Sequence, residues 1–197
     1  MFEFIQGKLY ELTPTSVVLH CNGIGYFVNI SLNTYSSLQG KEEALLYTYE
    51  AIREDAFVLY GFLEKKEREM FLMLIMVSGV GANIARMILS SFSPQELANA
   101  VAEGNVSLLK SIKGIGSKTA ERIIVDLKDK VKKDFSSSSD SSSSVSPLYT
   151  EAEEAIDALV ALGFSKVPAQ KAIHSIIKKN SSPLEVGALV KMALKIL

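Results

Sequence analysis

One cysteine, Cys21, and two histidines, His20 and His174, are all that 197 residues offer of thiol and imidazole metal ligands. A single thiol excludes an internal disulfide, and one thiol with two imidazoles falls short of a zinc-ligand set. Cys21 itself reads as a small buried residue. No stretch approaches the roughly 18 uninterrupted apolar residues that a membrane helix needs. The opening Met1-Phe2-Glu3-Phe4 lacks the basic, apolar and small-residue order of a signal peptide. The expectation is a cytoplasmic protein with no membrane contact, no metal and no cofactor. Net charge is scarce as well, at -1.

That small total hides a division along the chain. Residues 1–64 carry three Lys/Arg against eight Asp/Glu, a net of -5, whereas residues 65–134 carry twelve against eight, a net of +4. The basic excess in the middle is where a polyanion would bind. The acidic first part holds five short β-rich runs, Phe2 to Gln6, Ser16 to Cys21, Tyr26 to Ile30, Ala44 to Tyr49 and Phe57 to Tyr60, with Asn22-Gly23 as a hairpin turn. Five short strands in so few residues point to an open barrel of the oligonucleotide-binding (OB) type, because closure protects strand edges.

From Lys65 the pattern turns helical, and the Met-rich run Met70 to Val77 reads as helix core. Residues 135–147 are mostly serine, a composition with too little apolar surface to offset the entropy of ordering it. Such a tether has a root-mean-square reach of roughly 20 Å. Beyond it, Glu151 to Leu162, Val167 to Lys179 and Pro183 to Leu197 read as three helices. The expected class is α+β multidomain: a barrel at 1–64, an all-α domain at 65–134, a flexible linker at 135–150 and a three-helix bundle at 151–197.

The strongest signal is an internal repeat in the basic part. Val77-Ser78-Gly79-Val80-Gly81-Ala82-Asn83-Ile84-Ala85 matches Ile112-Lys113-Gly114-Ile115-Gly116-Ser117-Lys118-Thr119-Ala120, offset by 35 residues. Each copy sends an apolar helix into a Gly-apolar-Gly turn and starts a second helix directly after it, which describes a helix-hairpin-helix. The glycines permit the turn and a close backbone approach, and the free N–H groups at the following helix start make a seat for an anion. A phosphate is its natural occupant, and phosphate contacts position a duplex without reading its bases. Gly79, Val80, Gly81, Asn83, Gly114, Ile115, Gly116, Lys118, Thr119 and Arg122 are the candidate DNA-phosphate-binding residues, with Lys118 and Arg122 adding counterion release. Gly116-Ser117-Lys118-Thr119 is not a P-loop, since Ser117 and Ile112 stand where that motif requires glycines.

A barrel, tandem helix-hairpin-helix turns, a loose tether and a three-helix tail, in that order, resemble the RuvA family of bacterial Holliday-junction-binding proteins over essentially the whole chain. The most telling stretches are Arg53-Glu54-Asp55-Ala56 leading to Leu59-Tyr60-Gly61-Phe62, Gly79-Val80-Gly81, and Gly114-Ile115-Gly116 followed by Lys118-Thr119-Ala120-Glu121-Arg122. The resemblance implies a homotetramer, or an octamer of two tetramers, holding four-way junction DNA open and flat for recombination and repair. It implies two protein partners, the hexameric ATP-driven motor RuvB, engaged by the C-terminal domain, and the RuvC resolvase. It makes Glu54 and Asp55 an acidic pin where strands part; carboxylates repel phosphates, so such a pin would steer strands by repulsion. The tail is similar to the ubiquitin-associated three-helix bundle, with Leu159, Leu162 and Phe164 as candidate motor contacts. Many relatives carry lysine where this chain has Asn83, and Lys113 replaces a proline often found before the second turn.

No catalytic residue is expected. An enzymatic alternative is a DNA glycosylase, a class that also uses a glycine hairpin and would take Asp134 as its catalytic carboxylate. A third alternative is an adaptor for RNA or protein, which preference for single strands would favour.

Overall fold

The computed structural model describes residues 2–135, 147–179 and 184–197, in two compact units, Met1–Ser139 and Asp140–Leu197. In the first unit, β1 (Phe4–Thr13), β2 (Ser16–Cys21), β3 (Ile24–Asn29), β4 (Glu43–Ile52) and β5 (Phe57–Phe62) form a barrel in the order β1-β2-β3-β5-β4. The barrel is closed, not open as expected: β3 and β5 pair in parallel through Val28↔Leu59 and Asn29↔Tyr60, while β4 returns to β1. A parallel pair between strands far apart in sequence leaves no local turn signal to read. Closure removes both free edges.

β1 runs seven residues past the Gln6 at which the alternation of large apolar side chains fades. Its register with β2 shifts between Leu9 and Glu11, where Tyr10 is bulged out and 78% exposed. Such a bulge bends a long strand around a small barrel. Inside lie Ile5, Val17, Leu19, Val28, Leu46 and Leu59. Gly61 is obligatory there, since a Cβ would stand 2.5 Å from Val28 Cγ1 and 3.1 Å from Leu46 Cδ1. Cys21 is half-buried rather than buried, at the end of β2, with its Sγ 3.1 Å from the Gln6 carbonyl; partial desolvation pushes its thiol pKa up.

Between β3 and β4 stands a helix that no apolar periodicity announced, α1 (Leu32–Leu38). Ser31 caps it by accepting from Thr34 N at 3.0 Å, a local signal present in the sequence but weak in so polar a segment. Leu38 plugs the barrel.

The helical part comprises α2 (Lys65–Ile75), α3 (Ala82–Ser91), α4 (Pro94–Glu103), α5 (Val106–Lys110) and α6 (Ser117–Phe135). Ser93 and Glu96 form a full capping box on α4, and Gly104 ends that helix in the left-handed region at φ 74°. Tyr60 and Phe62 of the barrel share one hydrophobic core with Phe71, Leu74, Ile88 and Leu127 of the helices. The Phe71 ring lies 4.8 Å from Phe62 and 5.3 Å from Tyr60, centroid to centroid. Barrel and hairpins are therefore one packed body. Phe135, expected to open the tether, is 4% exposed and closes this core at the end of α6. The rest of the serine run, 136–146, lies outside the described residues.

The second unit is a three-helix bundle of α7 (Pro147–Ala161), α8 (Lys166–Lys179) and α9 (Val186–Ala193) around Ile156, Leu159, Ile173, Ile176 and Leu189. α7 begins within the segment read as linker, because Pro at a first helical turn forfeits no hydrogen bond.

Candidate nucleic-acid interface

The two glycine turns repeat in atomic detail. In the first, Val77 N donates to Leu74 O at 3.0 Å, Gly79 takes φ 91°, Val80 N donates to Val77 O at 3.0 Å, and Ala85 N makes a helical bond to Gly81 O at 2.9 Å. In the second, Ile112 N donates to Leu109 O at 3.2 Å, Gly114 takes φ 90°, Ile115 N donates to Ile112 O at 3.1 Å, and Ala120 N bonds to Gly116 O at 2.9 Å. Gly79 and Gly114 need the left-handed region that other residues enter at a cost. Gly81 is extended, at φ -86° and ψ 170°, and caps α3 without a side chain.

Val80 and Ile115 are 4% and 6% exposed, and Ala85 and Ala120 are fully buried. The apolar residue of each turn is thus a peg into the core, and what it presents to a ligand is backbone alone. The N–H groups of residues 82–84 and 117–119 precede the first intrahelical bonds and have no acceptor within their own helices. Each turn therefore aims a group of donors, backed by the positive end of a helix, outward at an exposed glycine pair.

The turns also interlock. Arg122 Nη1, on α6, donates to Ser78 O in the first turn at 3.2 Å. A Cβ on Gly79 would meet Thr119 Oγ1 at 3.9 Å, and one on Gly114 would meet Met87 Cε at 3.7 Å. Met87 and Arg122 occupy matching positions of the repeat, so each copy's second helix backs the other copy's turn. Lys113, Lys118 and Arg122 are exposed beside the second seat, with Thr119 half-buried between the turns. Asn83, at the first seat, is exposed, and its Oδ1 accepts from the Tyr60 hydroxyl at 3.1 Å. That contact leaves the Asn83 amide nitrogen to donate.

Glu54 and Asp55 stand exposed at the tip of the β4–β5 hairpin, closed by Arg53 N donating to Ala56 O at 2.8 Å. The pair Ile52↔Phe57 behind them is also exposed, at 69% and 56%. In the second unit the three expected contact residues separate. Leu162 is 61% exposed and Phe164 half-buried, but Leu159 is fully buried. Leu159 sits among Ile156, Ile173 and Leu189 because the α7 stripe that faces α8 and α9 carries it inward. Its side chain lies beneath the surface that the exposed Leu162 and the half-buried Phe164 present. Asp134, the glycosylase candidate, falls in the last turn of α6, with its side chain outside the described residues. Among the described residues no three His, Cys, Asp or Glu side chains gather as a metal site, and no helix is long and apolar enough to cross a membrane.

Two basic residues that sequence reasoning passed over are paired within the first unit. Arg86 Nη1 donates to Thr15 O at 2.9 Å and Asn29 Oδ1 at 3.1 Å, fastening α3 to the barrel. Arg68 grips Glu3 at 2.6 Å, and that hydrogen bond holds the Glu3 carboxyl below its ordinary pKa. These pairs join residues more than 50 positions apart and carry no local signature.

Two equivalent glycine turns, each with outward-facing N–H groups at a helix start and backed by one barrel, define a tandem helix-hairpin-helix protein. Residues 1–61 match the RuvA N-terminal domain, residues 71–129 the SAM-like helix-hairpin-helix tandem and residues 150–197 the RuvA C-terminal domain. The chain is 53% identical to the Holliday junction branch migration complex subunit RuvA of Bacteroides thetaiotaomicron, over 99% of both chains. It is 52% identical to the protein of that name in Azobacteroides pseudotrichonymphae and 48% to that in Porphyromonas gingivalis, each over the full length of both. The chain belongs to the RuvA family.

Proposed function

We propose that this chain binds four-way DNA junctions as the recognition subunit of a branch migration complex and performs no covalent chemistry itself. The observation that carries the reading is the exact repetition of the glycine seat, with Gly79 at φ 91° and Gly114 at φ 90°. Two seats on one body hold two phosphates at a set separation, and so fix a duplex arm in position irrespective of sequence. Gly79, Gly81, Gly114 and Gly116 shape the seats; the N–H groups at the starts of α3 and α6 receive the phosphates; Asn83, Lys118, Thr119 and Arg122 add side-chain donors. Glu54 and Asp55, exposed at the hairpin tip, repel strands from the crossover and so favour open arms. Four copies match the four arms of a junction, and an octamer would enclose it from both sides. The bundle of 147–197 engages the RuvB motor through Leu162 and Phe164, with the serine run as tether, and the RuvC resolvase acts on the same junction, all in the cytoplasm.

The test is a gel-shift competition at fixed moderate salt between a synthetic four-way junction and linear duplex of the same sequence. Strong preference for the junction, weakened by Lys118→Ala and narrowed by the double substitution Glu54→Gln, Asp55→Asn, is the expected result. Equal affinity for both DNAs, or none for either, would overturn it. Preference for single strands would instead favour an adaptor.

A further inference from the structure

One carboxylate in the first unit is buried and takes no part in the seats or the pin. Glu67, in the first turn of α2, is 5% exposed. Its two oxygens are received by the barrel's own helix: Oε1 accepts from the Ser31 hydroxyl and Oε2 from the Thr34 hydroxyl, the latter at 2.7 Å. Ser31 is also the N-cap of α1, so the carboxylate lies at the positive end of that helix. Burying a carboxylate costs several kcal/mol unless its lone pairs are satisfied, and an apolar residue would pack this position without that cost. Something other than packing is served by a carboxyl group that holds two hydroxyls.

The same helix is held from the other side. Asn33 Nδ2 donates to Leu89 O at 2.7 Å and to Phe92 O at 3.1 Å, and Leu32 N donates to Ser90 Oγ at 3.1 Å. Both helices of the first hairpin thus grip α1, α2 through Glu67 and α3 through its C-terminal carbonyls. α1 leads into β4, which runs directly to Glu54 and Asp55. The acidic tip is thus tied to the first hairpin at both of its strands, by β5, which runs directly into α2, and by β4, whose preceding helix α1 is held in this clasp. Hydrophobic contacts of Phe71 with Tyr60 and Phe62 are non-directional, and the Arg86 and Arg68 bonds fasten α3 and α2 to Thr15, Asn29 and Glu3; the two directional hydrogen bonds on Glu67 add the fixed angle between α2 and α1, the element that leads into β4.

We propose that Glu67 is the positioning residue that fixes the acidic tip relative to the phosphate seats, and through that spacing sets the discrimination of branched from linear DNA. The proposal rests on the junction-binding reading for its second half only. Linear duplex needs the seats alone, so its binding is indifferent to where the barrel points; a junction must meet seats and tip at once.

The test uses the full chain with Cys21→Ser and spin labels on cysteines placed at the exposed positions Glu11 and Lys130, one in the barrel and one on α6. Distance distributions are recorded without DNA, and the ratio of junction to duplex affinity is measured on the unlabelled variants. Glu67→Ala is expected to broaden or shift the distribution and to lower the ratio by about tenfold, or about 1.4 kcal/mol, with duplex affinity unchanged. Glu67→Gln, which retains an acceptor and a donor for the two hydroxyls, is expected to restore both. Thr34→Val removes one hydroxyl at equal volume and repeats the measurement should Glu67→Ala not fold. An unchanged distribution in a folded variant overturns the proposal whatever the DNA result. A broadened distribution with an unchanged ratio overturns its role in discrimination, and so does parallel loss of duplex and junction binding. If the parent chain shows no junction preference, the functional reading fails, and the distance measurement still decides whether Glu67 sets the angle.

Discussion

Arg122 on α6 donates its Nη1 proton to the carbonyl of Ser78, in the other glycine turn, at 3.2 Å. A cation counted from the sequence as a phosphate ligand is thus also a strut between the two seats. The matching position of the first copy, Met87, makes the reciprocal approach to Gly114 through its methyl group. The repeat is symmetric in backbone and asymmetric in chemistry, with the polar strut reaching only one way.

The two roles of Arg122 separate in a salt titration. Loss of a phosphate contact lowers the slope of log K against log salt by about 0.9. Lys118→Ala is expected to lower that slope alone, with thermal stability unchanged, because Lys118 is exposed. Arg122→Met is expected to lower the slope by a similar amount and also to lower the melting temperature, since an exposed hydrogen bond worth about 0.5–1 kcal/mol is lost with it. An unchanged slope in Arg122→Met would make it a strut alone.

The four turn glycines are expected to fall into two classes. At Gly114 an added Cβ is strained by the φ of 90°, so Gly114→Ala should lose about 1–2 kcal/mol of stability in a denaturant titration as well as DNA affinity. At Gly116 a Cβ meets nothing within 4 Å, and no left-handed backbone demands glycine there. Gly116→Ala should therefore fold normally and still bind DNA at least several-fold more weakly, because the methyl group would stand in front of the N–H donors. Unimpaired binding by Gly116→Ala would mean that the backbone is not where the phosphate sits.

Glu67 gives the protein a pH dependence of known sign. Burial raises its pKa above the ordinary value near 4.5, against the lowering effect of the Ser31 and Thr34 hydrogen bonds. The folded state therefore holds this proton more tightly than the unfolded chain does. Its contribution to stability is complete below the unfolded pKa and is lost as pH rises through the raised folded value. The difference in unfolding free energy between the parent chain and Glu67→Gln, followed by denaturant titration from pH 4 upward, should move in favour of the glutamine variant as pH rises. A constant difference would show that Glu67 ionises normally in the folded state.

The helical hairpins were legible because their signals are local. A glycine that must take positive φ, an apolar peg one residue later and an alanine at the packing position occupy fixed offsets, and repetition at 35 residues marks them as a pair. The barrel was legible as five β-rich runs, although its closure was not, since the β3–β5 pairing is parallel and joins Val28 to Leu59. α1 was missed because Leu32–Leu38 is largely Asn, Thr, Ser and Tyr, and only its Ser31 cap speaks for a helix. Among the candidate contacts, Leu159 and Leu162 look alike in sequence, but Leu159 lies within α7 and Leu162 one residue beyond its end. The bundle's geometry alone places one at the core and the other in solvent.

What the amino-acid order determined by itself is everything encoded within a turn or two of chain: the glycine seats, the acidic hairpin tip, the serine run and the number of helices that follow it. Which charges stay free for a ligand was decided only in three dimensions. Arg86 and Arg68 are as basic in sequence as Lys118, yet they are bound to Thr15, Asn29 and Glu3 across the barrel boundary, while Lys118 projects from a helix start into water. Burial and pairing depend on what the chain brings from 50 or more residues away, and no short-range pattern records it.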